Sequence, residues 1–376
     1  MRFLIVSPVI HKSASNGFAG YTPYIREMNL WLKHVDEVVV AAPSIKQNPD
    51  PLESFYDHPR LRFVELPEID TTSFLKLLKS LLAVPLILLR LFREMYRTDH
   101  IHLRCPSNMG LLGSFVQLFF PGKPKTVKYA NNWDWQSVQP LTYRIQQRIL
   151  RNSLLTHNAK VLVYGDWNER SKNIVPFFTA SYSKKKAHPV EIREINKEEP
   201  MKMLFVGTLT SNKRPMLAIQ VLEQLRNSGI ETQLILLGDG FQRDEVEDYL
   251  QTNKLTSVVH IKGKVAPDDV IEYFKESHFL VFLSQSEGWP KVVAESMWWG
   301  CLPVTTNVSC VKQMIGDGTR GVLVEPEQEM VVKSIEELIN NPEKYKSMCE
   351  EAMTWSRQYH LERFEEEIVK FLNAAS

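Results

Sequence analysis

Short, continuous apolar runs alternate with helical patterns along the whole chain. Runs at 3–6, Glu37–Ala42, 61–66, His100–Cys105, 126–129 and 160–164 fill the first half, and Met201–Val206, 234–237, 258–262 and 279–283 the second. They are short, bounded by polar residues and apolar on both faces, as strands buried inside a parallel sheet are. The alternation predicts α/β architecture, with helices covering the sheets and ligands at the carboxyl ends of strands. Three helical patterns close the chain, at 327–339, 342–358 and 361–372.

The most apolar segment is Phe74–Arg97, FLKLLKSLLAVPLILLRLFREMYR, interrupted at Pro85. Lys76, Lys79, Arg90, Arg93 and Arg97 surround its leucine-rich body. A basic amphipathic helix of this kind either packs its apolar stripe on a sheet or lies in the interface of an anionic membrane. The pattern alone leaves both readings open.

At 376 residues the chain exceeds what one core usually fills, so two domains are expected. The charge-rich stretch at 188–200 reads as the junction, giving a first domain over 1–190 and a second over 191–358. With 45 Lys plus Arg against 44 Asp plus Glu, nothing in the bulk charge points to a nucleic-acid partner. Cys105, Cys301, Cys310 and Cys349 lack metal-ligand spacing and read as reduced thiols of a cytoplasmic protein. The first residues form a strand rather than a signal peptide, and no apolar run reaches membrane-spanning length.

Chemistry concentrates at 284–307, SQSEGWPKVVAESMWWGCLPVTTN. A turn at 284–288 follows the strand, Pro290 suits the first position of a helix, and Gly300 suits its left-handed stop. The uncapped N–H groups of such a helix, with Lys291 beside them, favour phosphate. Glu287 precedes the helix and Glu295 lies about one and a half turns inside it, too far apart to share a proton. Such carboxylates either bracket a long ligand, as a nucleotide sugar is, or merely favour the first turns of a helix.

The wider string EGWPKVVAESMWWGCLPVTTNVSCVKQMIGDGTRGVLVEP, from Glu287 to Pro326, resembles the E-x7-E signature and following segment of family 4 retaining glycosyltransferases. The match includes both Glu residues, Gly300 with Pro303 and Val304, the Asp317–Gly318 turn and the close at 321–326. The resemblance implies the GT-B fold: two Rossmann-like domains with parallel sheets facing a central cleft, and a C-terminal helix over about 359–376 returning to the first. It implies a nucleotide-sugar donor on the second domain and a glycan or lipid-linked acceptor on the first. Glu287 would orient the donor sugar and Glu295 the ribose, with Gly288, Trp289, Lys291 and Val292 lining the donor.

Other donor-side residues follow from the same resemblance. Gly207 and Lys213 match a phosphate clamp, but Thr208 stands where the family usually has Arg, and Arg214 is the nearby candidate to replace it. Gly263, Lys264 and Val265 would meet the base. The loop at 11–20 lacks dinucleotide G-x-G-x-x-G spacing, and its Gly17 and Gly20 are either donor contacts or an ordinary turn. No metal or cofactor is expected, since Lys213 and helix N–H groups can meet the departing diphosphate.

Acceptor-side candidates are His102, read near a strand end, and the cluster Asn131, Asn132, Trp133, Asp134 and Trp135. The tryptophans would stack on a sugar and the polar side chains bond its hydroxyls. Trp298 and Trp299 read instead as packing residues. A retaining transferase of surface polysaccharide or glycoconjugate synthesis, peripheral at the inner membrane face, is therefore expected. A sugar-nucleotide epimerase of the same fold and a non-catalytic sugar-nucleotide or glycan binder are the alternatives.

Overall fold

The computed structural model describes residues 1–15, 17–50, 53–70, 72–196 and 198–373. The chain divides into two compact units, Met1–Phe178 with Phe364–Ser376, and Thr179–Arg363.

The first unit is built on a seven-stranded sheet. Its strands run Ile174–Phe177, Ala159–Tyr164, Lys125–Tyr129, His100–Cys105, Arg2–Val6, Glu37–Ala42 and Leu61–Glu65 in spatial order. Every pairing is parallel. Helices cover both faces of such a sheet, which is why Phe3, Leu4, Ile5 and Val6 are all fully buried. The chain steps one way from the first strand to Glu37–Ala42 and the other way to His100–Cys105, so the order reverses beside Arg2–Val6.

The second unit holds six parallel strands in the order Val259–Gly263, Thr232–Leu237, Met201–Val206, Phe279–Phe282, Leu302–Thr306 and Val322–Val324. Its order reverses between Met201–Val206 and Phe279–Phe282. That point is where an open α/β sheet leaves a crevice for ligand.

The division falls at Phe178 and Thr179 rather than within 188–200. The polar stretch that reads as a linker is in fact packed on the second unit. Tyr182 sits against Trp298 and Trp299 with ring centroids 5.5 and 5.4 Å away, Ile192 and Ile195 pack on the core, and Arg357 bonds the His188 carbonyl. Trp298 and Trp299 are accordingly buried. In the first unit, Phe364 and Phe371 of the closing helix meet Phe177, and Glu365 pairs with Lys33 and His34.

Two local readings change. The loop at 11–20 contains the antiparallel strands His11–Ala14 and Gly17–Tyr21, joined by Ser44–Lys46 and Glu53–Phe55 in a small sheet. Alternation over four or five residues around a glycine is too short to announce them. Phe74–Arg97 is one helix, continuous through Pro85. Its packed face carries Ser80, Ile87, Leu91, Glu94 and Met95, while most of its leucines face outward.

Candidate functional site

The reversal point of the second sheet is held by two loops, one after Met201–Val206 and one after Phe279–Phe282. They are stitched together. Arg214 donates to the Leu283 carbonyl at 3.0 Å, the Gln285 amide N–H to Asn212 O at 2.8 Å, Gln285 Nε2 to Ser211 O at 2.9 Å, and Asn212 Nδ2 to Ser286 O at 3.2 Å. This brace brings Lys213 Nζ into an ion pair with Glu287 Oε1. Both side chains keep partial exposure, 20% and 15%, so the pair faces an accessible surface rather than the core. The Lys213 ammonium also lies 5.1 Å from the centre of the Phe282 ring, an attraction that limits its range of positions.

Glycines let a third loop, the one after Thr232–Leu237, close against the Lys213 loop. A Cβ on Gly238 would stand 1.8 Å from Gly207 O, and one on Gly240 would stand 2.4 Å from Leu209 O. Only glycine lets these two loop backbones touch. Gly207 borders the aliphatic stem of Lys213, and Thr208 is exposed. Arg214 adopts a left-handed backbone, φ 52° and ψ 53°, at the cap of the helix Pro215–Asn227. Through its bond to the Leu283 carbonyl, Arg214 braces the loops.

The helix Lys291–Trp298 begins one residue later than the sequence predicts, with Pro290 as its N-cap. Proline offers no side-chain acceptor, and no side chain caps this end. The Val293 N–H turns back to the Pro290 carbonyl at 3.0 Å, and this end of the helix lies beside the loop carrying Glu287. Gly300 follows the helix at φ +78°, the left-handed stop expected. Lys291 and Val292 are part-exposed in the first turn, and Trp289 packs on Tyr359 at 5.9 Å. The Gly288 carbonyl faces Cys310 Sγ at 3.9 Å.

Glu295 keeps some surface, yet its carboxyl is packed closely enough that burial raises its pKa above 4.5. Ser181 Oγ donates to it and opposes that rise, as does the charge of Lys291. Sequence reasoning missed Ser181 because it lies outside every strand and helix pattern, ahead of the stretch at 188–200 that reads as linker. Gly263, Lys264 and Val265 follow the edge strand on the same carboxyl side of the sheet, and Gly263 O accepts from Gly238 N at 2.7 Å.

In the first unit the candidates fare differently. His102 is fully buried within its strand, not at its end. Its Nδ1 meets Thr126 Oγ1 at 2.9 Å, a hydroxyl that also meets His100 Nε2 at 2.9 Å. Burial depresses the His102 pKa to about 3. A neutral core imidazole cannot reach an acceptor hydroxyl, so the acid or base role falls. Trp133 is likewise fully buried, donates to Glu169 at 2.8 Å and carries Arg151 over its ring at 5.2 Å. It is a core residue and cannot stack on a sugar; Trp135, 62% exposed, can.

Asn131, Asn132 and Asp134 accept from the backbone of the residues one or two places on, forming successive local turns. They shape the loop while remaining part-exposed. Gly17 takes φ +120° in the hairpin, and Gly20 is buried with a Cβ position 3.3 Å from His11. Both therefore have a structural requirement whatever they bind.

Residues 189–355 match the family described as glycosyl transferases group 1. An uncharacterized glycosyltransferase of Haemophilus influenzae is 30% identical over 176 residues, covering 46% of this chain and 49% of its own. One of Methanocaldococcus jannaschii is 29% identical over 161 residues, covering 43% and 44%. The matched stretch thus spans less than half the length of either relative. The fold is similar throughout to a crystal structure of HepE from Anabaena in complex with UDP and glucose, with a TM-score of 0.69, 14% identity and 99% of both chains covered. Residues 189–355 are thus similar to a glycosyl transferases group 1 domain, set in a two-unit α/β fold of GT-B type.

Proposed function

We propose that this chain is a glycosyltransferase that moves a sugar from a nucleotide-sugar donor to the hydroxyl of a glycan or lipid-linked acceptor. The observation that carries the reading is the Lys213–Glu287 pair at the reversal point of the second sheet, beside an uncapped helix end. In the free protein Glu287 neutralises Lys213. A donor diphosphate would draw Lys213 and the helix N–H groups to its oxygens, releasing the Glu287 carboxylate to accept hydrogen bonds from the sugar. Charge developing on the departing diphosphate would then meet a preorganised cation and dipoles, without a metal being required. Glu295 would accept from the ribose hydroxyls, exchanging its bond from Ser181. The E-x7-E spacing favours retention of configuration, with the leaving phosphate assisting deprotonation of the acceptor.

Release of nucleoside diphosphate from a panel of UDP-, GDP-, ADP- and dTDP-sugars, with acceptor sugars and with anomer assignment of the product, tests the reading. Transfer that vanishes in Glu287→Ala supports it, and undiminished transfer in that variant refutes the site. Thr208, exposed at the position where the resembling family carries Arg, leaves one fewer cation for diphosphate, and it favours a second reading, donor binding without transfer. Binding with no release across the panel would select that second reading.

A further inference from the structure

The helix Phe74–Arg97 carries an outward apolar stripe in addition to its packed face of Ile87, Leu91 and Met95. Leu82 is 74% exposed, Tyr96 70% and Leu89 67%, while Ser80 and Glu94 are buried on the packed side. At 100° per residue, Leu78, Leu81, Leu82, Leu89, Phe92 and Tyr96 fall within one stripe of roughly 100°, running the length of a helix about 36 Å long. Phe119 from the neighbouring segment, 71% exposed, extends the stripe edge-on to Phe92 at 5.9 Å. So much contiguous apolar surface marks a binding face.

Charge identifies the occupant. Lys79, Arg93 and Arg97 fall along one flank of the stripe, within roughly 40° of one another, and Arg90 on the same flank bonds the Glu65 carbonyl. The helix has one carboxylate, Glu94, which is buried and paired with Arg62. A second copy of this face would bring no carboxylate to meet those cations, whereas lipid phosphates would. No helix among the described residues is long and apolar enough to cross a membrane. We infer that this face lies in the plane of an anionic phospholipid leaflet, its leucines among the acyl chains and its basic flank among the headgroups. The inference deepens the transferase reading by making the acceptor a membrane-held molecule.

The test is co-sedimentation of the full chain with phosphatidylcholine vesicles containing or lacking phosphatidylglycerol, without donor or acceptor. Wild type should bind the anionic vesicles and release as salt rises. Neutralising Lys79, Arg93 and Arg97 to Gln should weaken binding roughly a hundredfold, given on the order of fivefold for each cation. Leu82→Glu with Leu89→Glu, both at exposed positions, should abolish binding while leaving the thermal transition and donor binding unchanged. Equal binding to neutral vesicles, no binding, or a concentration-dependent dimer that the leucine variants break in place of vesicle binding would each overturn the inference. Because no sugar is transferred in this assay, its failure leaves the transferase reading standing, and failure of transfer leaves this result interpretable.

Discussion

Lys213 and Glu287 stand 74 residues apart in the chain and close an ion pair at the point where the second sheet reverses its strand order. Neither position alone specifies chemistry. What joins them is backbone: Asn212 with Gln285 ties the Lys213 loop to the Glu287 loop, while Gly238 lets a third loop pack against Gly207. The pair neutralises its own charge, and under the proposed function a donor diphosphate would displace Glu287 from Lys213.

Gln285 acts through the loops and not on the ligand. Gln285→Ala removes the side-chain bond to Ser211 O and should cost about 1 kcal/mol of stability. If the brace positions Glu287, kcat should fall tenfold or more while the donor dissociation constant changes little, since misplacement by a fraction of an ångström is costly to reaction. Unchanged kcat with the stability loss would reduce the brace to packing.

Glu295 carries a pKa raised by burial, so the folded state disfavours its charge. A carboxyl with a raised folded pKa lowers stability at pH above that value, and the penalty disappears as pH falls through it toward 4.5. Glu295→Gln should therefore stabilise the free protein near pH 7.5, by about 1 kcal/mol, and show no advantage near pH 4. The same variant should bind donor more weakly. Denaturant midpoints at the two pH values check the first point, and a destabilised Gln variant at pH 7.5 would contradict it.

Much of the fold was legible from periodicity. Strands such as Glu37–Ala42 and Met201–Val206 carry continuous apolar runs whose only good burial is inside a parallel sheet, and the bounds found match those runs. Pro290 and Gly300 bracket their helix to within a residue because each acts locally. Burial of a polar or aromatic side chain is not local. His102 and Trp133 have types that serve binding sites, and only the packing of Phe3, Trp31 and Arg151 around them reveals core residues. The same limit hid the outward stripe of Phe74–Arg97, since periodicity gives a stripe without saying which way it faces. It also hid the attachment of Ser181, which belongs to no strand or helix pattern.

The two tryptophans of the first unit should separate cleanly. Trp133→Ala empties a fully buried site with two polar partners and should destabilise by about 3–5 kcal/mol. Trp135→Ala removes an exposed ring and should shift stability by less than about 0.5 kcal/mol. Any effect of Trp135→Ala on acceptor KM at unchanged stability would assign that ring to acceptor binding. Equal stability losses in both variants would contradict the burial assignment.

Acid should weaken the protein earlier than its carboxylates require. Burial holds His100 and His102 at about 3, against 6.5 in an unfolded chain. The unfolded state binds the extra protons, so stability is full above pH 6.5 and falls as pH drops toward the folded values. Urea midpoints at steps from pH 7.5 to pH 5 should decline, and a flat profile would show that these imidazoles protonate within the fold.

Thermal stabilisation by nucleotide sugars, with wild type and Lys213→Ala side by side and EDTA present or absent, addresses the donor site itself. A ligand bound only by the folded state at about 100 times its dissociation constant adds about 2.7 kcal/mol of stability. The expected result is a shift selective for one nucleotide, insensitive to chelator, and lost in Lys213→Ala while the unliganded variant melts as a folded protein. An equal shift in Lys213→Ala, or none with any donor in a folded wild type, would contradict a donor site built on Lys213 and Glu287.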